Sequence, residues 1–231
     1  MVLASIIETL HRADQQASLW LNSLSAPWSD SMWMMFSDKS FWIPTYIICV
    51  YFLFKRLGWK KALIVLASCG AAFALCDQLS NLVKHAASRL RPSYSFWMLD
   101  GGLNVLENRG GFYGFFSAHA ANAFAIAMCL IIGFRNDNKH TYNAFCHWAL
   151  IWASLVAVSR IFVGKHYLGD VIVGAAIGTV VGYFIGMFTR YLVHRYVDKV
   201  PFTGLTTIIT KKISPTTIQE GPSPSGSPSN L

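Results

Sequence analysis

The chain has 231 residues, 54% of them hydrophobic and only 13% charged, about half the charged share of an ordinary soluble domain. Its apolar residues fall in long runs, which exclude a single soluble core and point to an all-α, polytopic membrane helix bundle. Net charge is +8, but the basic residues form no soluble patch, so no nucleic-acid partner is expected.

Residues 1–40 read as an amphipathic interfacial segment. "IIETLHRADQQASLWLNSL" alternates apolar and polar positions at helical spacing, and Trp20, Trp28 and Trp33 suit a headgroup layer. The start lacks the order of a cleaved signal peptide, so no processing is expected. Residues 41–200 form the membrane domain, with five expected spans. They run from about Phe41 to Phe54, Lys60 to Val83, Ser117 to Phe134, Tyr142 to Phe162 and Tyr167 to Val193. Helices are required because a backbone in hydrocarbon must satisfy its own hydrogen bonds. Residues 201–231, ending "QEGPSPSGSPSNL", bury too little apolar surface to fold and read as a disordered tail. The five cysteines lie inside apolar segments with no metal spacing and read as small buried hydrophobes.

Alternate connections hold eleven of the nineteen Lys and Arg: Lys55, Arg56, Lys60, Lys61, Arg135, Lys139, Arg190, Arg195, Lys199, Lys211 and Lys212. The positive-inside tendency makes that face, and the tail, cytoplasmic. The other face, periplasmic or extracytoplasmic in an inner (cell) membrane, then receives the unusual polar residues. The last span carries Gly174, Gly178, Gly182 and Gly186, each four apart. Such a stripe admits a close neighbouring helix, inside the bundle by preference or across a homodimer seam.

Three polar clusters fall on the outer face. Lys84 and Arg91 are seven apart, two helical turns, and Pro92 turns Arg91 out of the helix. Ser117 is placed to cap the third span, whose first turn, with Ala118 and His119, leaves free N–H groups suited to an anion. Arg160 ends the fourth span, and His166 and Asp170 are four apart, on one helical face if the fifth span begins there. Such an aspartate can hold one imidazole nitrogen and leave the other free. Singly these clusters also read as snorkelling cations, a hydrated histidine and a local His–Asp contact. Together they are too many ionisable groups at membrane depth for structure alone. A metal is disfavoured by the three cations and thin ligand set, whereas an oxyanion suits guanidinium forks and free N–H groups.

These residues resemble the type 2 phosphatidic acid phosphatase family, which shares its site with vanadium haloperoxidases. The family pattern KxxxxxxRP, PSGH and SRxxxxxHxxxD is met by Lys84 with Arg91–Pro92, by "FSAH" at 116–119, and by Ser159–Arg160 with His166 and Asp170. The resemblance spans about residues 40–193. Phe116 stands in place of the proline and Ala118 in place of the glycine, which preserves a backbone donor provided no positive φ is required. The resemblance implies a metal-independent lipid phosphate phosphatase without a cofactor. His166 would be the nucleophile that forms a phosphohistidine, Asp170 its orienting partner, and His119 the acid and base. Lys84, Arg91, Arg160 and the N–H groups near Ser117 and Ala118 would bind phosphate. Haloperoxidase activity is not expected, because those relatives are soluble. The implied substrate is a lipid phosphate, with lipid A phosphate, undecaprenyl diphosphate, phosphatidylglycerol phosphate and phosphatidate as candidates. The loop from Ser93 to Phe115, with Trp97, Arg109, Phe112 and Tyr113, is the expected selectivity element. A transporter or flippase, or an inactive lipid-binding relative, is the competing reading.

Overall fold

Gly58 divides the longest helical run of the molecule, at φ 74° and ψ 164°, a conformation open to glycine and strained for other residues. The computed structural model of the chain describes residues 2–199; the Pro/Ser-rich tail expected at 201–231, with Lys211 and Lys212, lies outside them. Seven α-helices are described: α1 (Val2–Ser23), α2 (Pro27–Ser37), α3 (Ile43–Ala87), α4 (Phe96–Asp100), α5 (Ala118–Phe134), α6 (Asn143–Phe162) and α7 (Leu168–Leu192). A π-helical turn, Val193–Val197, extends the last. Among the described residues, β pairing is limited to one isolated antiparallel bridge, Leu90 with Tyr113.

The first two expected spans are the limbs of α3, joined at Gly58 without a loop. The polar run from Lys55 to Lys61 reads as a connection, yet it stays helical on both sides of the break. Segment 1–40 forms two helices, and α4 lies within the expected selectivity loop. The last three spans start and stop within a residue or so of their sequence boundaries.

Helix α5 is the centre of the bundle, contacting α3, α6 and α7. Its alanines 120, 121, 123, 125 and 127 are all buried, and small side chains let neighbouring backbones approach. Leu130 and Phe134 meet Leu53, Leu57, Ala62 and Val65 of both α3 limbs. Ala121, Ala125 and Cys129 meet Ala72 and Cys76 of the second limb. Phe116, where the family pattern has proline, is buried in this second cluster, and its carbonyl accepts from Ser80 Oγ at 3.2 Å.

The glycine stripe of α7 faces α5. A Cβ added at Gly174, Gly178 or Gly182 would lie 2.5, 2.1 or 2.5 Å from the carbonyl oxygens of Ser117, Ala121 and Ala125, and one at Gly186 would lie 2.8 Å from Ile132 Cδ1. All four glycines are buried inside the monomer, so the stripe is not free to serve as a homodimer seam.

Ser40–Ala87, Asn143–Phe162 and Leu168–Val197 are long and apolar enough to cross a membrane, and Ala118–Phe134 is a shorter apolar helix. The molecule is a membrane helix bundle.

Candidate active site

All three polar clusters meet at one end of the bundle, but they arrive by different routes from those the spacing suggested. Helix α3 stops at Ala87, with Ser88 in a left-handed cap at φ 48°. Arg91 is therefore not on the helix of Lys84. Its backbone is extended (φ −67°, ψ 156°), as a residue before proline prefers. A short antiparallel pairing holds it, with Arg91 N donating to Phe112 O and Gly114 N to Arg89 O, both at 2.9 Å. Arg91 Nε donates to Tyr113 O at 3.1 Å. Lys84 remains close enough to feel the charges of Arg91 and Asp170.

Ser117 caps α5, its hydroxyl oxygen accepting weakly from Ala120 N at 3.4 Å. Its own N–H donates to Asp170 O at 3.0 Å, so the backbone donors left for an anion at this helix start are those of Ala118 and His119. Ala118 begins the helix and is not among the positive-φ residues, so the condition set on its replacing glycine is met.

His166 and Asp170 do not share a helical face, since α7 starts at Leu168. Asp170 is its third residue, and its Oδ2 accepts the N–H of Tyr167 at 3.1 Å. That cap brings Oδ2 to 3.5 Å from His166 Nδ1, a contact still long for a formed hydrogen bond. Nδ1 has no other partner. Such bonds often tighten only when substrate binds. Nδ1 is thus the ring nitrogen on the Asp170 side.

His166 is 3% exposed and Asp170 fully buried. Burial pushes the imidazole of His166 down to about 4, against the pull of Asp170 and with the help of Arg160 and Arg91. It should therefore remain neutral at about pH 5.5, where an ordinary imidazole, titrating near 6.5, is mostly charged. Nitrogen chemical shifts of histidine-labelled protein test this, with the signal assigned by its loss in His166→Gln. A midpoint at or above the ordinary value would contradict the buried setting.

Arg160, from the end of α6, is 5% exposed. It donates to Ser37 Oγ and faces both oxygens of Glu107 at 3.4 and 3.5 Å. Lys165 Nζ is 3.8 Å from the same carboxylate. Arg91 and Lys165 both border Gly110, their Nη1 and Nζ lying 3.2 and 3.6 Å from where a Cβ would stand. His119 feels the charges of Arg160, Lys39 and Lys84. It sits between two cavities. One, an open cleft of about 840 Å³, is mixed in character, lined by Ser31, Met34, Met35, Ser37, Asp38, Lys39, Glu107 and Arg160. The other, of about 170 Å³, is apolar and reaches Tyr46, Phe73 and Trp152.

The expected residues Lys84, Arg91, Ser117, Ala118, His119, Arg160, His166 and Asp170 thus converge. Glu107, Lys165, Ser37 and Arg89 join them without having been singled out from the sequence. Glu107 stands in an irregular loop with no periodicity to mark it. Arg89 Nη1 donates to Asp170 Oδ1 at 2.6 Å, and its guanidinium lies over the Tyr167 ring at 4.2 Å. Arg109, in the expected selectivity loop, has its guanidinium carbon 5.8 Å from the Tyr94 ring centroid. Among the described residues no cluster of three or more His, Cys, Asp or Glu could hold a metal ion.

A family model described as the PAP2 superfamily matches residues 61–194. A lipid A 4'-phosphatase of Bacteroides thetaiotaomicron is 32% identical over 86% of this chain and 87% of its own length. A lipid A 4'-phosphatase of Porphyromonas gingivalis is 32% identical over 78% of this chain and 74% of its own. In fold, the chain resembles a transmembrane PAP2-type phosphatidylglycerolphosphate phosphatase of Bacillus subtilis. The TM-score is 0.64 at 21% identity, covering 84% of this chain and 94% of that one. Aquifex aeolicus LpxE gives 0.53 at 21% identity, covering 74% and 92%.

Proposed function

This chain belongs to the PAP2 superfamily and is a membrane lipid phosphatase, and from that premise we propose that it removes the 4'-phosphate of lipid A through a phosphohistidine on His166. The observation that carries the mechanism is the contact of Asp170 with His166 Nδ1, which leaves Nε2 to attack while cations gather around it. The substrate reading is supported by both lipid A 4'-phosphatases and by polar groups in the cleft beside His119. Its serines, Asp38 and Lys39 suit the hydroxyls of a sugar leaving group, and Met34 and Met35 suit adjoining apolar chain.

The lone pair of Nε2 would form the N–P bond as the bond from phosphorus to the sugar oxygen breaks. His119 would give that oxygen its proton. Arg91, Arg160, Lys84 and the N–H groups of Ala118 and His119 would neutralise charge on the three remaining oxygens. In the second step His119 would take a proton from water, whose oxygen displaces Nε2 and releases inorganic phosphate. Guanidinium and ammonium groups would do the electrostatic work that a metal does in other phosphatases.

The site would face the outer side of the membrane, as the charge bias of the connections suggests. Helix α1, with Ile6, Ile7, Leu10 and Trp20 exposed, would lie in that interface.

Purified protein offered lipid A, undecaprenyl diphosphate, phosphatidylglycerol phosphate and phosphatidate should release phosphate fastest from lipid A. The lipid product should keep its 1-phosphate, and a chelator should leave the rate undiminished. Release confined to a glycerophospholipid, or from the 1-position, would overturn the substrate reading.

A further inference from the structure

Asp14 lines neither cavity beside His119, yet it holds two parts of the candidate machinery at once. Its Oδ2 accepts from Arg89 Nη2 at 2.6 Å, and Arg89 passes its other amino group to Asp170. Its Oδ1 accepts the N–H of Gly169 at 2.7 Å. Four residues on, Ser18 Oγ accepts the N–H of Leu168 at 2.8 Å. Four residues further, Asn22 Nδ2 donates to the carbonyls of Ile161 and Phe162, each at 3.0 Å, and its Oδ1 accepts from Asn104 N at 2.8 Å. One face of α1 therefore grips both ends of the loop between α6 and α7 that carries His166. His11 Nδ1 lies 3.2 Å from Arg89 Nη2, and burial and the Arg89 charge push the pKa of that imidazole down against the pull of Asp14 and Asp170.

We propose that Asp14 is a positioning residue for the phosphatase reaction, acting through Arg89 on Asp170; the proposal rests on His166 being the nucleophile. An arginine facing Asp170 alone would neutralise it and compete with the imidazole for its oxygens. Shared between two carboxylates, Arg89 leaves the trio with net negative charge. Asp170 can then hold the Nδ1 proton of His166 and offset the positive charge that develops on the ring during attack. The grip on Gly169 and Leu168 fixes the first turn of α7, from which Asp170 projects.

The test is steady-state kinetics and thermal unfolding of full-length Asp14→Asn in detergent with a lipid phosphate that the wild type hydrolyses. Asparagine keeps the size and one acceptor and removes the charge. The expected result is a kcat lower by about tenfold, as outer partners of a reacting group typically contribute, with KM unchanged. Asp14→Glu should recover most of the rate, while Asp14→Asn added to Asp170→Asn should cost nothing further. Wild-type kcat in Asp14→Asn would overturn the proposal. So would the same tenfold loss in the Asp170→Asn background, or a rate loss matched by loss of folded protein in both variants. Activity surviving in His166→Ala would instead sink the catalytic reading, so the two failures are distinguishable.

Discussion

His166→Ala should lower phosphate release by on the order of 10⁴-fold or more, with the protein still inserted and folded. The residue is nearly inaccessible, and Nδ1 has no partner other than the long contact to Asp170. Alanine therefore breaks no formed side-chain hydrogen bond, though it leaves a small cavity, and the main loss should appear in chemistry. Asp170→Asn should retain more activity than His166→Ala, because it weakens the orientation of a nucleophile that is still present. Equal loss in both would mean that Asp170 acts mainly in folding. Its bonds to Arg89, to the Tyr167 N–H and, through its carbonyl, to Ser117 N make that a real competitor, so thermal midpoints should be read beside the rates. Full activity in His166→Ala would end the mechanism.

Gly178→Val should prevent the bundle from assembling. The first carbon added at Gly178 would stand 2.1 Å from Ala121 O and 2.8 Å from Ala121 Cα. Those are backbone atoms of the central helix, and no side-chain rotation relieves the clash. Overpacking of a core typically costs about 1–3 kcal/mol, and a contact to rigid backbone belongs at or above the upper end. The helices α5 and α7 also bring their N-termini together, where Ser117 N meets Asp170 O. A valine that parts them should therefore abolish activity along with stability. Yield and thermal midpoint in detergent check this. By contrast, Val180→Ala, at an outward position on the same helix that is 55% exposed, should leave both nearly unchanged. Normal folding of Gly178→Val would show that α5 and α7 pack less closely than described.

The spans α5, α6 and α7 were legible because uninterrupted apolar runs ended at polar residues that are also their structural ends: Ser117, Tyr142 and Tyr167. The division of the first two spans falls at Gly58 as their boundaries require, but four Lys and Arg around one glycine look like a longer connection, and nothing local says that helix continues on both sides. Motif spacing correctly grouped Lys84 with Arg91 and His166 with Asp170, but for a different geometric reason. Both pairs are grouped by helical spacing, although Pro92 already turns Arg91 out of the helix. Each instead joins a helical residue to one held by extended backbone or by a cap. The residues that went unnoticed act across long separations. Asp14, Ser18 and Asn22 lie one helical turn apart, but periodicity alone does not tell a face that binds water from one that binds a loop about 150 residues away. Glu107 gave no such signal, and its importance appears only where Arg160 and Lys165 close around it.

The most direct measurement is to mix protein with radiolabelled lipid phosphate, quench within the first turnover under alkaline conditions, which preserve a phosphoramidate, and map the labelled peptide. A nitrogen–phosphorus bond at His166, absent in His166→Ala and longer-lived in His119→Gln, is the expected result. Label on any other residue, or turnover with no covalent phosphate at any time, would contradict direct attack by this imidazole.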